Sequence, residues 1–446
     1  MAKSGTVLLV MPNNAFIKKA SKINFNIHVI FWILLALYPS ALTLVGRPSL
    51  AQRIMHAFFF IFFSMTIIIF QRKPRIERKY LDYLMIYLLF TLAYYSLITL
   101  GHCANLQWTD LVDLSRPIVY FVYFVFPLFF PLDEEQFRKL LKFLFFLCMV
   151  QIVFSSFVYF NFFWPLVNIY KGRMSEDIQL FHFFRWSGTF GYPADFSFFL
   201  SFFIYFLFLS LRHRLVNRGR VVAGLFVLSA ALVLTLSRGG LATVAVLLAV
   251  ASFMYKRGAG LLYFTFIAIV SGLAVYVALN LFESQKFNFA YITELFEEGM
   301  EARSATHRVV ELKFAWSTML ENFPIGIGPN RAEIGRVLPV IETSYGHYLI
   351  KWGILGWLLY IISVIYLGCV SYRLWNTHDD GLIATFAGAM FLLIISVPLV
   401  FGFSSAITDR YKVLPFYYVM SGYLMMLAVR RGKRLQRQRC LERGSA

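Results

Sequence analysis

Apolar segments of about 20 residues recur along the whole chain and are separated by shorter polar stretches. Each segment is long enough to cross the hydrocarbon core of a bilayer as an α-helix. We expect about twelve transmembrane helices, at residues 27–46, 54–71, 80–100, 114–131, 141–162, 192–211, 220–236, 239–255, 260–282, 346–370, 382–405 and 413–429. Prolines interrupt the segment 114–131, and residues 220–255 could form one long helix, so eleven and thirteen spans are the alternatives.

Composition and charge predict an all-α integral membrane protein. Of the 446 residues, 59% are hydrophobic and 50 are phenylalanine, which is more apolar surface than a soluble fold can cover. The formal net charge is +19, and most Lys and Arg residues fall in every second loop. This is the positive-inside pattern when both termini are cytoplasmic. The basic runs therefore indicate orientation and contact with anionic lipid, and none of them carries a nucleic-acid-binding module.

Alternating sides place two long segments outside the cytoplasm, at residues 163–191 and 283–345. The chain then divides into spans one to nine with short loops (1–282), the large external loop (283–345), spans ten to twelve (346–430) and a basic cytoplasmic tail (431–446). Much of the external chemistry must lie in the large loop or at the span ends that border it.

The large loop contains one amphipathic helix. Ser304 or Thr306 is a candidate N-cap, and Asn322-Phe323-Pro324 ends the pattern. The apolar face predicted by helical spacing is formed by Val309, Leu312, Trp316 and Met319. A helix with such a face beside a membrane could lie on the bilayer or pack over the mouth of the bundle. The stretch PIGIGPN at 324–330, with two glycines and two prolines, predicts a rigid turn.

Seven arginines fall on the side where the positive-inside rule disfavours them. They are Arg185, Arg238, Arg303, Arg308, Arg331, Arg336 and Arg410. The planar guanidinium suits bidentate binding of phosphate, and a charge at the membrane edge indicates a functional site. We therefore expect an external site for an amphiphilic anion, because the site adjoins the bilayer.

Other chemistries have little support in the sequence. There is no GxxxxGK[ST] loop for ATP, and there is no HExxH or CxxC for zinc. Glu297-Glu298 is better explained as a solvated helix face than as a divalent-metal site. Ion-coupled transporters use a relay of buried acidic residues, and the spans of this chain lack one. Asp195 is the residue that comes nearest to such a relay.

Four motifs resemble, in order and spacing, those of the bacterial O-antigen polymerase and O-antigen ligase superfamily. They are RWSGTFGYP at 185–193, SRGG at 237–240, HR at 307–308 with Trp316 and PIGIGP at 324–329, and ETSY at 342–345 with Leu349 and GILG at 353–356. The resemblance covers roughly residues 180–370, and the first 160 residues match only as hydrophobic spans.

The resemblance implies a GT-C-like membrane glycosyltransferase of the bacterial inner membrane with a periplasmic active site. Such enzymes transfer a glycan from undecaprenyl pyrophosphate to an acceptor sugar, and arginines rather than a metal hold the pyrophosphate. No cofactor is expected, and the partners are the lipid-linked donor, the acceptor glycan, the bilayer and a chain-length regulator.

The same resemblance implies roles for individual residues. Arg238 and Arg308 are the expected pyrophosphate clamps, with Arg185 as a third. Glu342 and His347 are the candidates for the general base. Further candidates for the site are Arg303, Arg331 and Tyr345.

An acidic residue at position 342, where ligases usually have histidine, favours a polymerase. A ligase acting on lipid A–core is the alternative, and a flippase is disfavoured because the cationic residues gather on one face instead of lining several spans.

Each candidate also has a structural alternative. Arg238 could extend from a tight turn to the interface, and Arg308 could pair with Glu311 or Glu301. His347 could be a core histidine, and Glu342 a solvated carboxylate. Near the outer interface lie tryptophans that form an aromatic belt or stack on sugar, namely Trp164, Trp186, Trp316 and Trp352.

Overall fold

The computed structural model describes residues 14–38, 48–70, 78–102, 110–159, 170, 185–190, 192–254, 265, 269, 272, 303–338, 341–410 and 412–444. Every regular element in these ranges is a helix, which confirms the all-α class. The predicted span 260–282, apart from three positions, lies outside the described residues, as do residues 283–302 and most of the loop 163–191.

Thirteen α-helices of this part of the chain are numbered here in chain order. They are α1 Asn14–Leu37, α2 Pro48–Phe70, α3 Arg78–Gly101, α4 Asp110–Phe129, α5 Glu134–Tyr159, α6 Pro193–His213, α7 Arg218–Leu234, α8 Arg238–Met254, α9 Arg303–Glu321, α10 Arg331–Val337, α11 Ser344–Thr377, α12 Gly381–Ser396 and α13 Val413–Gly444. After α12 the chain continues through a π-helical turn (Val397–Phe401), one short turn of helix (Gly402–Ser404) and a 3₁₀ turn (Ile407–Asp409).

Six helices of the described residues are long and apolar enough to cross a membrane. They contain the segments Asp82–Gly101, Glu134–Phe157, Pro193–His213, Ser344–Thr377, Gly381–Ser404 and Val413–Glu442. Shorter apolar stretches lie in α1, α2 and α8. Residues 220–255 form two helices, as the count of twelve spans assumes. Of the three prolines in residues 114–131, Pro117 and Pro127 lie inside the single helix α4 and Pro131 follows its end.

Helix α6 lies at the centre of the bundle. Its sequence PADFSFFLSFFIYFLFLSLRH is apolar on nearly every side, which is typical of a helix surrounded by other helices. It packs against α7, α8, α12 and α13. The first turn of α6, which carries Asp195, is therefore held firmly beside the N-terminus of α8.

Helix α11 is broken near its start. Gly353 has φ 61° and ψ −164°, so the helical hydrogen bonds cannot continue through it. The backbone N–H groups of Ile327 and Gly328 donate instead to the carbonyls of Ile350 and Lys351, both at 2.9 Å. Backbone polar groups without partners are strongly disfavoured in a membrane, so the predicted turn PIGIGPN stabilises this break.

Two further contacts hold the same region. The hydroxyl of Tyr94 in α3 donates to the carbonyl of Trp352 at 2.7 Å. Lys351 Nζ lies 2.6 Å from Oδ2 of Asp113 in α4, and both side chains are buried. The broken helix is therefore attached to α3 and α4 as well as to the turn.

The amphipathic helix α9 packs through a different face from the one predicted. Met319 is buried, but Trp316 is 58% exposed and the closest packing is made by Glu311 and Ala315, both fully buried. A small apolar cluster beneath α9 joins it to the turn, to α10 and to α11 through Ala315, Ile327, Ile334, Leu338 and Ile350. Helical spacing finds the apolar stripe, but it does not show that a buried carboxylate has partners and so does not identify the face that packs on the protein.

Replacement of Gly353 by alanine should destabilise the protein. The backbone lies in the left-handed region, and an added Cβ would stand 2.5 Å from the carbonyl oxygen of Pro324 and 2.6 Å from the amide nitrogen of Gly326. We expect a loss of at least about 2 kcal/mol, measured as a lower thermal denaturation midpoint of the detergent-solubilised protein.

Gly368→Ala is the matched control on the same helix, because an added Cβ there meets nothing within 4 Å. It should leave the midpoint unchanged or raise it slightly. Equal midpoints for the two variants would contradict the structural role of the break.

Candidate active site

The turn between α7 and α8 is built around the side chain of Arg185. Its Nε donates to the carbonyl of Thr235 at 2.9 Å, and its Nη2 donates to the carbonyl of Leu236 at 2.7 Å. Leu236 has φ 49°, so the chain leaves the helix sharply. Arg185 is buried and satisfies carbonyls that the end of α7 exposes. The structure therefore gives Arg185 a positioning role in the turn that precedes Arg238.

Two glycines bring this turn close to its neighbours. A Cβ at Gly240 would lie 2.4 Å from Oγ of Ser197 in α6, and a Cβ at Gly239 would lie 2.9 Å from Oγ of Ser404. Arg238, the first residue of α8, is half-buried at this junction. The backbone that carries Arg238 is therefore held by α6 on one side and by the segment after α12 on the other.

The carboxylate of Glu311 positions the beginning of α11. It is fully buried and accepts hydrogen bonds from the backbone N–H of Glu342 at 2.9 Å and of Thr343 at 2.9 Å. It also accepts one from the Thr343 hydroxyl at 2.6 Å. A Cβ at Gly346 would stand 2.2 Å from the same carboxylate, so only glycine fits there. Helix α9 thereby holds residue 342 in place.

Arg308 and Glu342 form an ion pair, with 3.7 Å between Nε and Oε2. The two side chains are 31% and 40% exposed, so both remain accessible to a ligand. The structural alternative for Arg308 is a pair with Glu311 or Glu301, but Glu311 binds the start of α11 and Glu301 lies outside the described residues. The candidate clamp and the candidate base are therefore neighbours.

The remaining candidates are placed as follows. His347 is buried within the first turns of α11, with 6% of its surface exposed. The Tyr345 hydroxyl donates to the carbonyl of Pro398 at 2.6 Å and so attaches α11 to the π-helical turn. Arg303 and Arg331 are the first residues of α9 and α10, and their side chains lie outside the described part of the chain.

The tryptophans near the predicted outer interface differ in their surroundings. Trp352 is buried and stacks on the ring of Tyr95, with 3.8 Å between centroids, so it belongs to the core. Trp186 is partly buried and Trp316 is exposed, whereas Trp164 lies outside the described residues. Trp316 therefore keeps its predicted accessibility, and Trp352 does not.

The segment 404–412, described except for residue 411, connects these parts, and the sequence singles out only its Arg410. The N–H of Ala406 donates to the carbonyl of Glu342, and the Ser344 hydroxyl donates to the carbonyl of Ser405 at 3.3 Å. Ser404 contacts Gly239. The short polar block SSAITDR between two apolar spans was the signal that could have indicated it.

The last residue of this segment, Lys412, has a buried side chain. Its Nζ donates to the carbonyl of Ala36 at 2.9 Å and to the Thr189 hydroxyl at 3.0 Å. Burial lowers the pKa of the Lys412 ammonium well below its ordinary value. The segment 404–412 is therefore held to α1 and to the RWSGTFGYP motif as well as to Glu342.

Arg238 lies at the start of α8, and Arg308 lies beside the accessible carboxylate of Glu342. The segment 404–412 contacts both regions. Prepositioned guanidinium groups of this kind stabilise anionic leaving groups, and a nearby carboxylate can accept a proton.

Comparison with known proteins gives one family. Residues 223–361 match the family described as O-antigen ligase, and this range contains Arg238, Arg308, Glu342 and the break at Gly353. A search among curated proteins finds no match. The match supports a glycosyltransferase-like function of the ligase or polymerase type and a location in the inner membrane. The similarity to the O-antigen ligase family covers less than half of the chain, at residues 223–361.

Proposed function

We propose that this protein polymerises O-antigen, or a related surface polysaccharide, from repeat units linked to undecaprenyl pyrophosphate. The observation that carries the proposal is the ion pair between Arg308 and Glu342, because it sets a phosphate-binding cation beside a proton acceptor. The family match supports the class of reaction, and the acidic residue at position 342 favours the polymerase over the ligase.

The proposed architecture has about twelve spans, a GT-C-like arrangement and both termini in the cytoplasm. The positive-inside pattern supports this orientation, and it puts α9, α10 and the start of α11 on the periplasmic side. The reaction is proposed to need no metal, since arginines would supply the positive charge. A chain-length regulator stays a prediction.

The reaction itself can be written as one displacement. The acceptor hydroxyl attacks the anomeric carbon of the donor, and the bond from that carbon to the pyrophosphate oxygen breaks. The bonding electron pair leaves with the pyrophosphate, and the hydroxyl proton passes to the general base. Guanidinium groups already in place stabilise the growing negative charge more in the transition state than in the ground state.

Arg238 and Arg308 are proposed to bind the pyrophosphate. Neighbouring elements fix both residues. Arg238, the first residue of α8, is fixed through Gly239 and Gly240, and Arg308, in the second turn of α9, through the attachment of α9 to α11. In the free protein Arg308 pairs with Glu342. Donor binding would give Arg308 a second anion and release the carboxylate of Glu342 toward the acceptor.

Glu342 is proposed as the general base, with His347 as the second candidate. Glu342 is 40% exposed at the mouth of the bundle, whereas His347 is almost fully buried. A base must reach the hydroxyl that it deprotonates, so accessibility favours Glu342.

Arg238→Ala and Arg308→Ala should each lower the rate of glycan transfer by at least about 100-fold, because one stabiliser of the leaving group is lost. The measurement is polymer formation by the purified protein in nanodiscs, with a lipid-linked repeat unit as substrate. Arg308→Lys should recover part of the rate, since the charge remains and the planar fork does not.

Arg373→Ala at the opposite end of α11 is the control and should keep the normal rate. Normal product length and yield from both arginine variants would contradict the clamp.

Glu342→Gln should lower kcat by about 100-fold or more and change the KM for the donor much less, because the amide accepts no proton. His347→Gln should stay within a few-fold of the parent if it is folded normally. The reverse ranking of the two variants would move the role of base to His347.

A strain that lacks this protein should carry single repeat units on lipid A–core, visible on a gel of the surface polysaccharide. Long lipid-linked chains that never reach the core would instead establish the ligase. If neither single repeat units nor polymer reached the outer face, the protein would instead be a transporter.

A further inference from the structure

Arg410 lies on the connecting segment 404–412, and two groups hold its guanidinium. Nε is 3.8 Å from Oδ1 of Asp195, and Cζ lies 5.2 Å from the centroid of the Tyr192 ring. The side chain of Arg410 is 29% exposed. An ion pair and a cation–π contact therefore orient a guanidinium that a ligand can still reach.

Asp195 behaves differently from an ordinary salt-bridge partner. It sits in the first turn of α6 and is fully buried, yet within the described residues neither carboxylate oxygen accepts a hydrogen bond. A buried carboxylate in this situation is unfavourable, and burial of the pair contributes little net stability. What the pair does accomplish is to fix the position of Arg410.

The same turn of α6 also contacts the residue before Arg238. Oγ of Ser197 lies 3.0 Å from Oγ of Ser237. On the other side of that junction, Ser404 contacts Gly239, six residues before Arg410 on the same segment. Arg410 is thus attached, through α6 and through its own segment, to the turn that presents Arg238.

We propose that Arg410 is a further pyrophosphate-binding residue and that Asp195 and Tyr192 position it. The inference rests on the proposed function and extends it. The resemblance implies a third clamp at Arg185, but its guanidinium holds the carbonyls at the end of α7. We assign that role to Arg410 instead. Like Arg185, it lies outside the range that matches the family.

The test uses the full-length protein in nanodiscs and inorganic pyrophosphate as a competitor of glycan transfer. Arg410→Ala should raise the inhibition constant of pyrophosphate about tenfold, and Arg410→Lys should raise it less, because the charge remains. Arg212→Ala, at the other end of α6, should leave the constant unchanged. If Arg410→Ala does not give monodisperse protein, Arg410→Gln replaces it and is judged by the same criterion.

Asp195→Asn separates positioning from general stability. It should raise the inhibition constant about threefold and lower the rate at saturating donor by a smaller factor than Arg410→Ala does. If Asp195 acts through Arg410, the double variant should match Arg410→Ala alone. Independent, multiplying effects would contradict the positioning role.

The outcomes also distinguish this inference from the proposed function. If Arg238→Ala raises the inhibition constant and Arg410→Ala leaves it within twofold of the parent, Arg410 is not part of the site and the proposed function stands. If neither variant nor Arg308→Ala changes it, the pyrophosphate site itself is wrong.

Discussion

Backbone carbonyls at interrupted helices need partners inside a membrane protein, and the site depends on how this chain supplies them. At the end of α7, the carbonyls of Thr235 and Leu236 are bound by the side chain of Arg185. At the break in α11, the N–H groups of Ile327 and Gly328 bind the freed carbonyls. Both solutions give irregular backbone the hydrogen-bond partners that it needs away from water.

The acidic residues of the site divide into positioning and accessible groups. Glu311 is fully buried and has three hydrogen bonds, so its carboxylate acts as a structural acceptor that fixes the start of α11. Glu342, whose backbone it holds, keeps an accessible side chain beside Arg308. A rigid backbone with an accessible carboxylate is what proton transfer at a fixed distance requires.

Local sequence patterns predicted much of this arrangement because their causes are local. Apolar length predicted the helices, and the glycines and prolines of PIGIGPN predicted the turn that supports the break in α11. The sharp turn before α8 instead lies at Leu236, and the glycines of SRGG belong to the first turn of that helix. The range that matches the family contains Arg238, Arg308 and Glu342. Helical spacing gave the apolar stripe of α9 but not the face that packs on the protein, because Glu311, a charged residue, lies at the centre of that buried side.

By itself, the sequence determined an all-helical chain with segments long enough to cross a membrane, and it predicted a set of arginines on one side. Only the tertiary structure decided which partner each charge has. Arg185 binds helix-end carbonyls, Arg308 meets Glu342, and the segment 404–412 joins regions far apart in the chain. Hydrophobic periodicity reports the exposure of each helix alone, whereas an ion pair or a capped carbonyl depends on how closely two helices approach.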